Sequence, residues 1–265
     1  MQKTPELFDL SGRCAIVTGA ARGIGRAIAL RLADVGAAIV VADLAQAGVD
    51  EVAAEIKSGG GKAVGQATNV SSTADLEQLV ATAVSAFGGV DILVNNAALR
   101  GWYTWDTLTP DVWDRYMAVN EKAVFFASQA VARQMGKQGR GGSIVNISST
   151  AAAHPVRWKV DYNAAKAAVA SMTKSLAVEL GAHGIRVNAV GPGGTNTPGG
   201  SGSIPSSFSP EMLRKMGEDW QNRMPLKVGI LDPDEIARAV LFFSSDISHC
   251  VTGQSLYVDG GYLVG

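Results

Sequence analysis

The chain has 265 residues, 47% of them hydrophobic, and 23 Lys and Arg against 24 Asp and Glu leave a formal net charge of −1. One substantial core fits that length, while the balanced charge offers no basic face for phosphate-driven nucleic-acid binding. Cys14 and Cys250 are the only thiols, and they form neither a disulfide framework nor a CxxC or Cys/His metal cluster.

MQKTPELFDLSGR at the N-terminus has no apolar run followed by a cleavage site. No apolar segment reaches the roughly 18 residues of a membrane span. A reduced cytoplasmic setting is therefore expected, with no membrane partner.

In chain order, CAIVT (14–18) reads as a strand and GIGRAIALRLADVG (23–36) as a helix closed by Gly36. AAIVVAD (37–43) is a second strand, and a helical run from about Ala45 to Ser58 meets the loop GGGK. AVGQATNV (63–70) is a weaker strand, followed by a helix opening near Ser72 and Thr73. VDILVNNAA (90–98) runs from a strand into a loop. Thr109-Pro110 looks like an N-cap with proline at the first helical position, starting one long helix to about Met135. GSIVNISS (142–149) is a strand, Val160 to Leu180 a helix, and IRVNAVGP (185–192) a strand. A Gly/Pro/Ser-rich segment follows, then helical patterns near 209–223 and 233–245 and a last strand, QSLYV.

The strands are short and apolar on both faces, which predicts helices on both sides of a parallel sheet. Repeated βαβ units predict a doubly wound α/β fold of about seven strands. No composition break divides the chain, so one domain over 1–265 is expected, with the long loop region from about 194 to 225 as a substrate lid.

TGAARGIG (18–25) joins the first strand to the first helix. Gly19, Gly23 and Gly25 would let backbone approach a pyrophosphate at the positive end of that helix. The spacing is GxxxGxG rather than GxGxxG. Asp43 ends the second strand, where a carboxylate can accept from adenosine ribose hydroxyls and would repel a 2′-phosphate. NAD is thus favoured over NADP, although Arg22 could pair with such a phosphate, and Asp43 could instead cap a helix.

Tyr162 and Lys166 stand four apart in VDYNAAKAAV (160–169) and share a helix face. Alone, the pair reads as easily as an amphipathic tip beside a solvated charge.

The ordered set TGAARGIG, Asp43, NNAA (95–98), Asn120, Ser148-Ser149, YNAAK (162–166), RVNAVGPGG (186–194) and VDGG (258–261) resembles the short-chain dehydrogenase/reductases, in their single-domain branch, over nearly the whole chain. The resemblance, which extends to the sugar and polyol dehydrogenases of the family, implies a catalytic set of Asn120, Ser149, Tyr162 and Lys166. Ser149 rather than Ser148 is implied because the family's serine stands thirteen residues before its tyrosine.

Carried over by position, the NAD-binding set is Gly19, Arg22, Gly23, Ile24, Gly25, Asp43, Leu44, Asn69, Val70, Asn95, Ala97, Tyr162, Lys166, Pro192, Gly193, Thr195 and Thr197. Asn69 stands where the family usually has Asp, and Ala98 where NNAG has glycine. VDGG resembles a segment near subunit contacts, which implies a homotetramer.

In such an enzyme a free phenol, with pKa about 10, is a poor base at neutral pH. A neighbouring ammonium favours its phenolate. Ser149 would hydrogen-bond the substrate oxygen, and Asn120 would hold a water that relays protons through Lys166.

The segments 99–105 and 151–160 and the lid should line the substrate pocket. Trp102, Tyr103, Trp105 and Trp158 could stack on a ring there, unless they are subunit contacts or lid core. Arg100, Ala151, Arg157 and Lys159 are the substrate candidates, unless the cations are solvated. Ser201, Ser203 and Ser206 read as lid spacer, and His154 and His183 as structural or solvated. The expected activity is an NAD-dependent interconversion of a secondary alcohol and a carbonyl on a sugar, polyol or ring-bearing compound, with anionic forms carrying a carboxylate or sulfonate among the candidates. The alternatives are an NADPH-dependent 3-oxoacyl carrier-protein reductase and a non-catalytic dinucleotide-binding scaffold.

Overall fold

Cys14–Thr18 (β1) is buried at every position, and Ala38–Asp43 (β2), Ile92–Asn95 (β4) and Ile185–Pro192 (β6) are nearly so. Strands apolar on both faces need a helical layer on each side, and the chain supplies one after almost every strand. The computed structural model describes residues 3–198 and 208–265. Together with Lys62–Ala67 (β3), Gly142–Ile147 (β5) and Ser255–Val258 (β7), the strands form one parallel sheet in the order β3-β2-β1-β4-β5-β6-β7.

A short helix, Thr4–Phe8 (α1), precedes the sheet. Gly23–Asp34 (α2), Gln46–Ser58 (α3) and Pro233–Ser244 (α9) cover one face, through Ile28, Leu32, Val49, Val52, Val240 and Phe243. On the other face lie Thr73–Phe87 (α4), Ala123–Gln138 (α6) and Val160–Leu180 (α7), through Leu76, Leu79, Val131, Met135 and Leu176. Burying each such side chain contributes about 1.5–3 kcal/mol before entropy is counted. The bidentate pair from Arg31 to Asp234, at 2.7 to 3.0 Å, ties α2 to α9.

Helix starts follow local chemistry. Ser72 accepts from the Asp75 N–H, and Thr109 accepts from the Val112 N–H with Pro110 behind it at the first position of Pro110–Met117 (α5). Ser209 and Pro210 open Pro210–Asn222 (α8) in the same way.

Three expected boundaries shift. The single helix expected from 109 to about 135 is divided by a π-helical turn at Ala118–Lys122 and extends to Gln138. The strand expected over 63–70 stops at Ala67, because Thr68 and Asn69 turn toward the Asp43 carbonyl and the Asp75 carboxylate. The strand expected over 142–149 stops at Ile147, which leaves both serines beyond the sheet.

The strand order reverses between β1 and β4, so the turns after these strands flank a crevice at their C-terminal ends. Behind it a buried polar network holds four elements together. Asn95 of β4 donates to Asn146 of β5 at 2.9 Å and to Ser128 of α6 at 3.0 Å, and Asn146 donates to Thr173 of α7 at 2.9 Å.

Candidate active site

The crevice holds a cleft of about 350 Å³ lined by Gly19, Arg22, Gly23, Ile24, Gly25, Asp43, Leu44, Asn69, Val70 and Ala97, and by Thr68, Asn96, Leu99, Arg100, Val119 and Thr197. Gly19 has a φ of 64°, and a Cβ there would lie 2.8 Å from the Ala97 Cα. A Cβ at Gly25 would lie 2.2 Å from the Gly19 carbonyl oxygen. Side chains are thus excluded from the mouth of α2, whose first turn receives no side-chain cap and presents its N–H groups to the cleft.

Asp43 braces the same turn. Its carboxylate accepts from the Ala21 N–H at 3.1 Å and the Leu44 N–H at 2.7 Å. It does not cap α3, whose N-cap is Ala45. A bare backbone cradle, a helix N-terminus and a carboxylate on the cleft wall fit the pyrophosphate and ribose of a dinucleotide.

Beyond the cradle lie the catalytic candidates. Tyr162 and Lys166 lie one turn apart on α7, both buried. Lys166 Nζ donates to the Ile147 carbonyl at 2.7 Å, and Ser148 Oγ donates to the Lys166 carbonyl at 3.1 Å, so the end of β5 holds the lysine. Ser149 Oγ accepts from the Ala151 N–H at 3.1 Å and lies close enough to Tyr162 to favour its charged form.

Burial alone would raise the Tyr162 pKa. The positive charges of Arg100 and Lys166, the Ser149 hydroxyl and Lys159 outweigh it and hold the phenol below its ordinary range. Burial pushes Lys166 down, the Tyr162 charge opposes that, and Arg100 adds to it. A buried phenol with an accessible phenolate, one hydroxyl beside it and an ammonium behind it can take a proton from an alcohol or return one to an alkoxide.

Asn120 is fully buried in the π-helical turn, a feature that often marks functional sites. Its side chain is committed to the loop after β4, bonding both the N–H and the carbonyl of Leu99. Any water it holds must use its remaining N–H or its backbone.

On the substrate side, the rings of Trp102 and Trp158 both meet Phe208, at 5.6 and 4.6 Å. Trp158 has a φ of 61°, a left-handed conformation costing about 1–2 kcal/mol for a non-glycine residue. Tyr103 packs edge-on to Tyr116, whereas Trp105 is exposed. Lys159 Nζ lies 4.0 Å from the Trp102 ring centre, and Arg157 stacks on Trp158. His154 meets Arg223, at the C-terminal end of α8, at 2.8 Å.

Several expectations need correction. Asn95 turns its side chain into the buried network, away from the cleft; its neighbour Asn96 faces the cradle, donating to the Thr18 and Gly19 carbonyls at 2.8 and 3.0 Å. On a strand adjacent residues point to opposite faces, a signal that could have selected Asn96. The Asn69 amide oxygen does line the cleft but already accepts from the Ser71 N–H and hydroxyl. Of the Pro192, Gly193, Thr195 and Thr197 set, only Thr197 lines the cleft, and Thr195 bonds the Gly193 carbonyl instead. Arg157 is placed by its own neighbour's ring, not by the cleft. Ser201, Ser203 and Ser206 lie outside the described residues. Thr68 and Val119 are cleft residues that no sequence motif indicated.

Placed at the switch point of a parallel sheet, this site defines a dinucleotide-binding protein. A family model described as enoyl-(acyl carrier protein) reductase (adh_short_C2) matches residues 19–263. The chain is 37% identical to 2,5-dichloro-2,5-cyclohexadiene-1,4-diol dehydrogenase LinX of Sphingobium indicum, covering 97% of this chain and 98% of the relative. It is 37% identical to L-rhamnose 1-dehydrogenase (NAD(P)(+)) of Azotobacter vinelandii, covering 96% and 98%. A solved 7α-hydroxysteroid dehydrogenase, complexed with NADH and 7-oxo glycochenodeoxycholic acid, superposes with a TM-score of 0.89 at 35% identity, over 98% of each chain. The chain belongs to the short-chain dehydrogenase/reductase family. Among the described residues, no helix is long and apolar enough to cross a membrane, and no cluster of His, Cys, Asp or Glu could hold a metal.

Proposed function

We propose that the protein is an NAD-dependent dehydrogenase that interconverts a secondary alcohol and a carbonyl on a ring-bearing or polyhydroxylated compound. The observation that carries this reading is Tyr162, buried yet held below the ordinary phenol range by the cations around it. The whole chain acts as one catalytic unit with 194–225 as its lid, in a homotetramer of the reduced cytoplasm.

NAD, when bound, supplies the hydride acceptor. The Gly19–Gly25 cradle holds its pyrophosphate, Asp43 its adenosine ribose, and Asn96, Ala97 and Thr197 border it further along the cleft. Ser149 donates its hydroxyl proton to the substrate oxygen, and Tyr162 takes the carbinol proton at its phenolate oxygen. Lys166 stabilises that phenolate, and Asn120 fixes the loop that carries Arg100. In the reverse direction the same phenol returns the proton.

One rival is an NADPH-dependent reductase acting on a carrier-bound 3-oxoacyl group, the substrate class named for another relative of this chain. Asp43 weighs against it, since a carboxylate on the ribose side opposes a 2′-phosphate. A non-catalytic scaffold is disfavoured because the chain keeps Asn120, Ser149, Tyr162 and Lys166, with Tyr162 and Lys166 buried one turn apart on α7.

The test is a panel of sugars, polyols and cyclic hydroxy compounds followed by NADH absorbance, with Tyr162→Phe alongside. The variant should keep NAD affinity and lose turnover by roughly 100-fold or more. Retained turnover within a few-fold would overturn the assignment of Tyr162.

A further inference from the structure

Lys159 is a charge that the proposed reaction leaves without a role. It is 9% exposed, and among the described residues its ammonium makes no hydrogen bond and no ion pair. It rests on two aromatic faces instead, 4.0 Å from the Trp102 ring centre and 5.6 Å from that of Tyr162. Cation–π contact offsets part of the desolvation, and the ammonium is not fully enclosed, so its three N–H donors, which have no protein acceptor, remain open to a bound anion beside the candidate base. The backbone is arranged to put it there: the residue before it, Trp158, takes the left-handed conformation, and the residue after it starts α7.

We infer that Lys159 anchors a carboxylate of the substrate, so that the alcohol oxidised is a ring carrying both the reacting hydroxyl and a carboxylate, with Trp102, Trp158 and Phe208 flanking the ring. This rests on the dehydrogenase reading above and narrows it. A neutral hydroxyl could fill one N–H, but it would leave the charge uncompensated. The charged groups that bear on this end of the site are Lys159, Arg100 and Lys166, against the buried Asp161 carboxylate and the Tyr162 phenol. Three cations face one carboxylate and, in the form that takes the carbinol proton, the Tyr162 phenolate, which leaves one positive charge over. An anionic substituent brings the pocket closer to balance in a low-dielectric setting. Arg157, stacked on Trp158, adds positive charge at the rim.

The experiment compares 3-hydroxycyclohexanecarboxylate with its methyl ester, the same ring and carbinol with the charge removed, in the wild type, Lys159→Gln and Lys159→Arg. The acid should exceed the ester in kcat/KM by roughly tenfold or more in the wild type, the size of one charge-assisted contact. That ratio should collapse toward one in Lys159→Gln and survive in part in Lys159→Arg. Because each ratio is taken within one variant, a general effect of the substitution on Tyr162 cancels.

Equal use of acid and ester, or an unchanged ratio in Lys159→Gln, would overturn the inference while leaving the dehydrogenase reading intact. Binding gives an independent arm. Cyclohexanecarboxylate, which has no carbinol, should perturb tryptophan fluorescence of the wild type and do so much more weakly in Lys159→Gln. If no alcohol at all reduces NAD, the dehydrogenase reading fails and the fluorescence result alone decides the anion site: the same response in both proteins, or none in either, refutes it.

Discussion

The Asn120 side chain and the Leu99 backbone exchange two hydrogen bonds, from the Leu99 N–H to Asn120 Oδ1 at 2.7 Å and from Asn120 Nδ2 to the Leu99 carbonyl at 3.0 Å. Leu99 lies on the cleft wall beside Arg100, and Asn120 sits in the π-helical turn that interrupts the helix behind it. The distorted turn therefore has a purpose that can be stated physically: it delivers an amide able to donate and accept at one peptide. Asn120→Ala should leave both backbone groups without a partner, at about 1–3 kcal/mol. The expected results are a lower melting temperature, a lower affinity for NAD and turnover reduced by more than the loss of folded protein explains. Asn120→Asp keeps the acceptor and loses the donor, and should fall between. Wild-type kinetics in Asn120→Ala would show that the loop after β4 is held by other contacts.

Asp43 makes a second, separable prediction. Its two carboxylate oxygens accept from the Ala21 and Leu44 N–H groups, and an amide oxygen can still serve one of these. Asp43→Asn therefore removes charge at modest structural cost. The ratio of kcat/KM with NADPH to that with NADH should rise by roughly tenfold or more, the effect of lifting one close like-charge repulsion. Arg22, at the mouth of α2, would then be free to meet the 2′-phosphate. An unchanged ratio would place cofactor choice elsewhere in the cleft.

Much of this was legible before any coordinates, and the reasons differ by feature. Strands such as CAIVT and the Thr109-Pro110 helix start obey local rules, so burial and capping confirm them. Spacing puts Tyr162 and Lys166 on one helix face, but their role and the choice of Ser149 over Ser148 come only with the family resemblance. The π-helical turn at 118–122 was not legible, because no local signal marks it and its Asn120 serves a partner 21 residues away, Leu99. Asn95 and Asn96 were confused because the motif NNAA names both, and only the pleat of β4 decides which faces the cleft. The pairing of His154 with Arg223, 69 residues apart, and the seat of Lys159 on Trp102 arise from tertiary packing that no periodicity encodes.

The two thiols should behave in opposite ways. Cys14 is buried in β1, where desolvation and then the Asp91 charge push its pKa up to about 12, with Arg140 opposing in part. At pH 8 roughly one Cys14 in 10⁴ would be thiolate, so it should be inert in the folded protein. Cys250 is exposed. A disulfide reagent should titrate one thiol per chain promptly in the native state and two after denaturation. Prompt reaction of both would mean that the centre of the sheet around β1 opens far more readily than its buried ladder implies.

The pH dependence of catalysis tests the electrostatics of Tyr162. Burial works against its phenolate, while Arg100, Lys166, the Ser149 hydroxyl and Lys159 work for it and prevail. Alcohol oxidation needs the phenolate, so kcat/KM should rise with pH through one inflection that lies below the ordinary phenol value of about 10. Carbonyl reduction needs the phenol and should fall through the same inflection. Arg100→Leu removes a cation that favours the charged form, so the inflection must move up. At pH 7 the variant should then oxidise more slowly than wild type, and the gap should close as pH passes the raised inflection. Lys166→Met should move it in the same direction, with an added loss of NAD affinity that high pH does not restore. A rate deficit in Arg100→Leu that is equal at every pH would instead mean that Arg100 positions substrate or cofactor and leaves the acidity of Tyr162 alone.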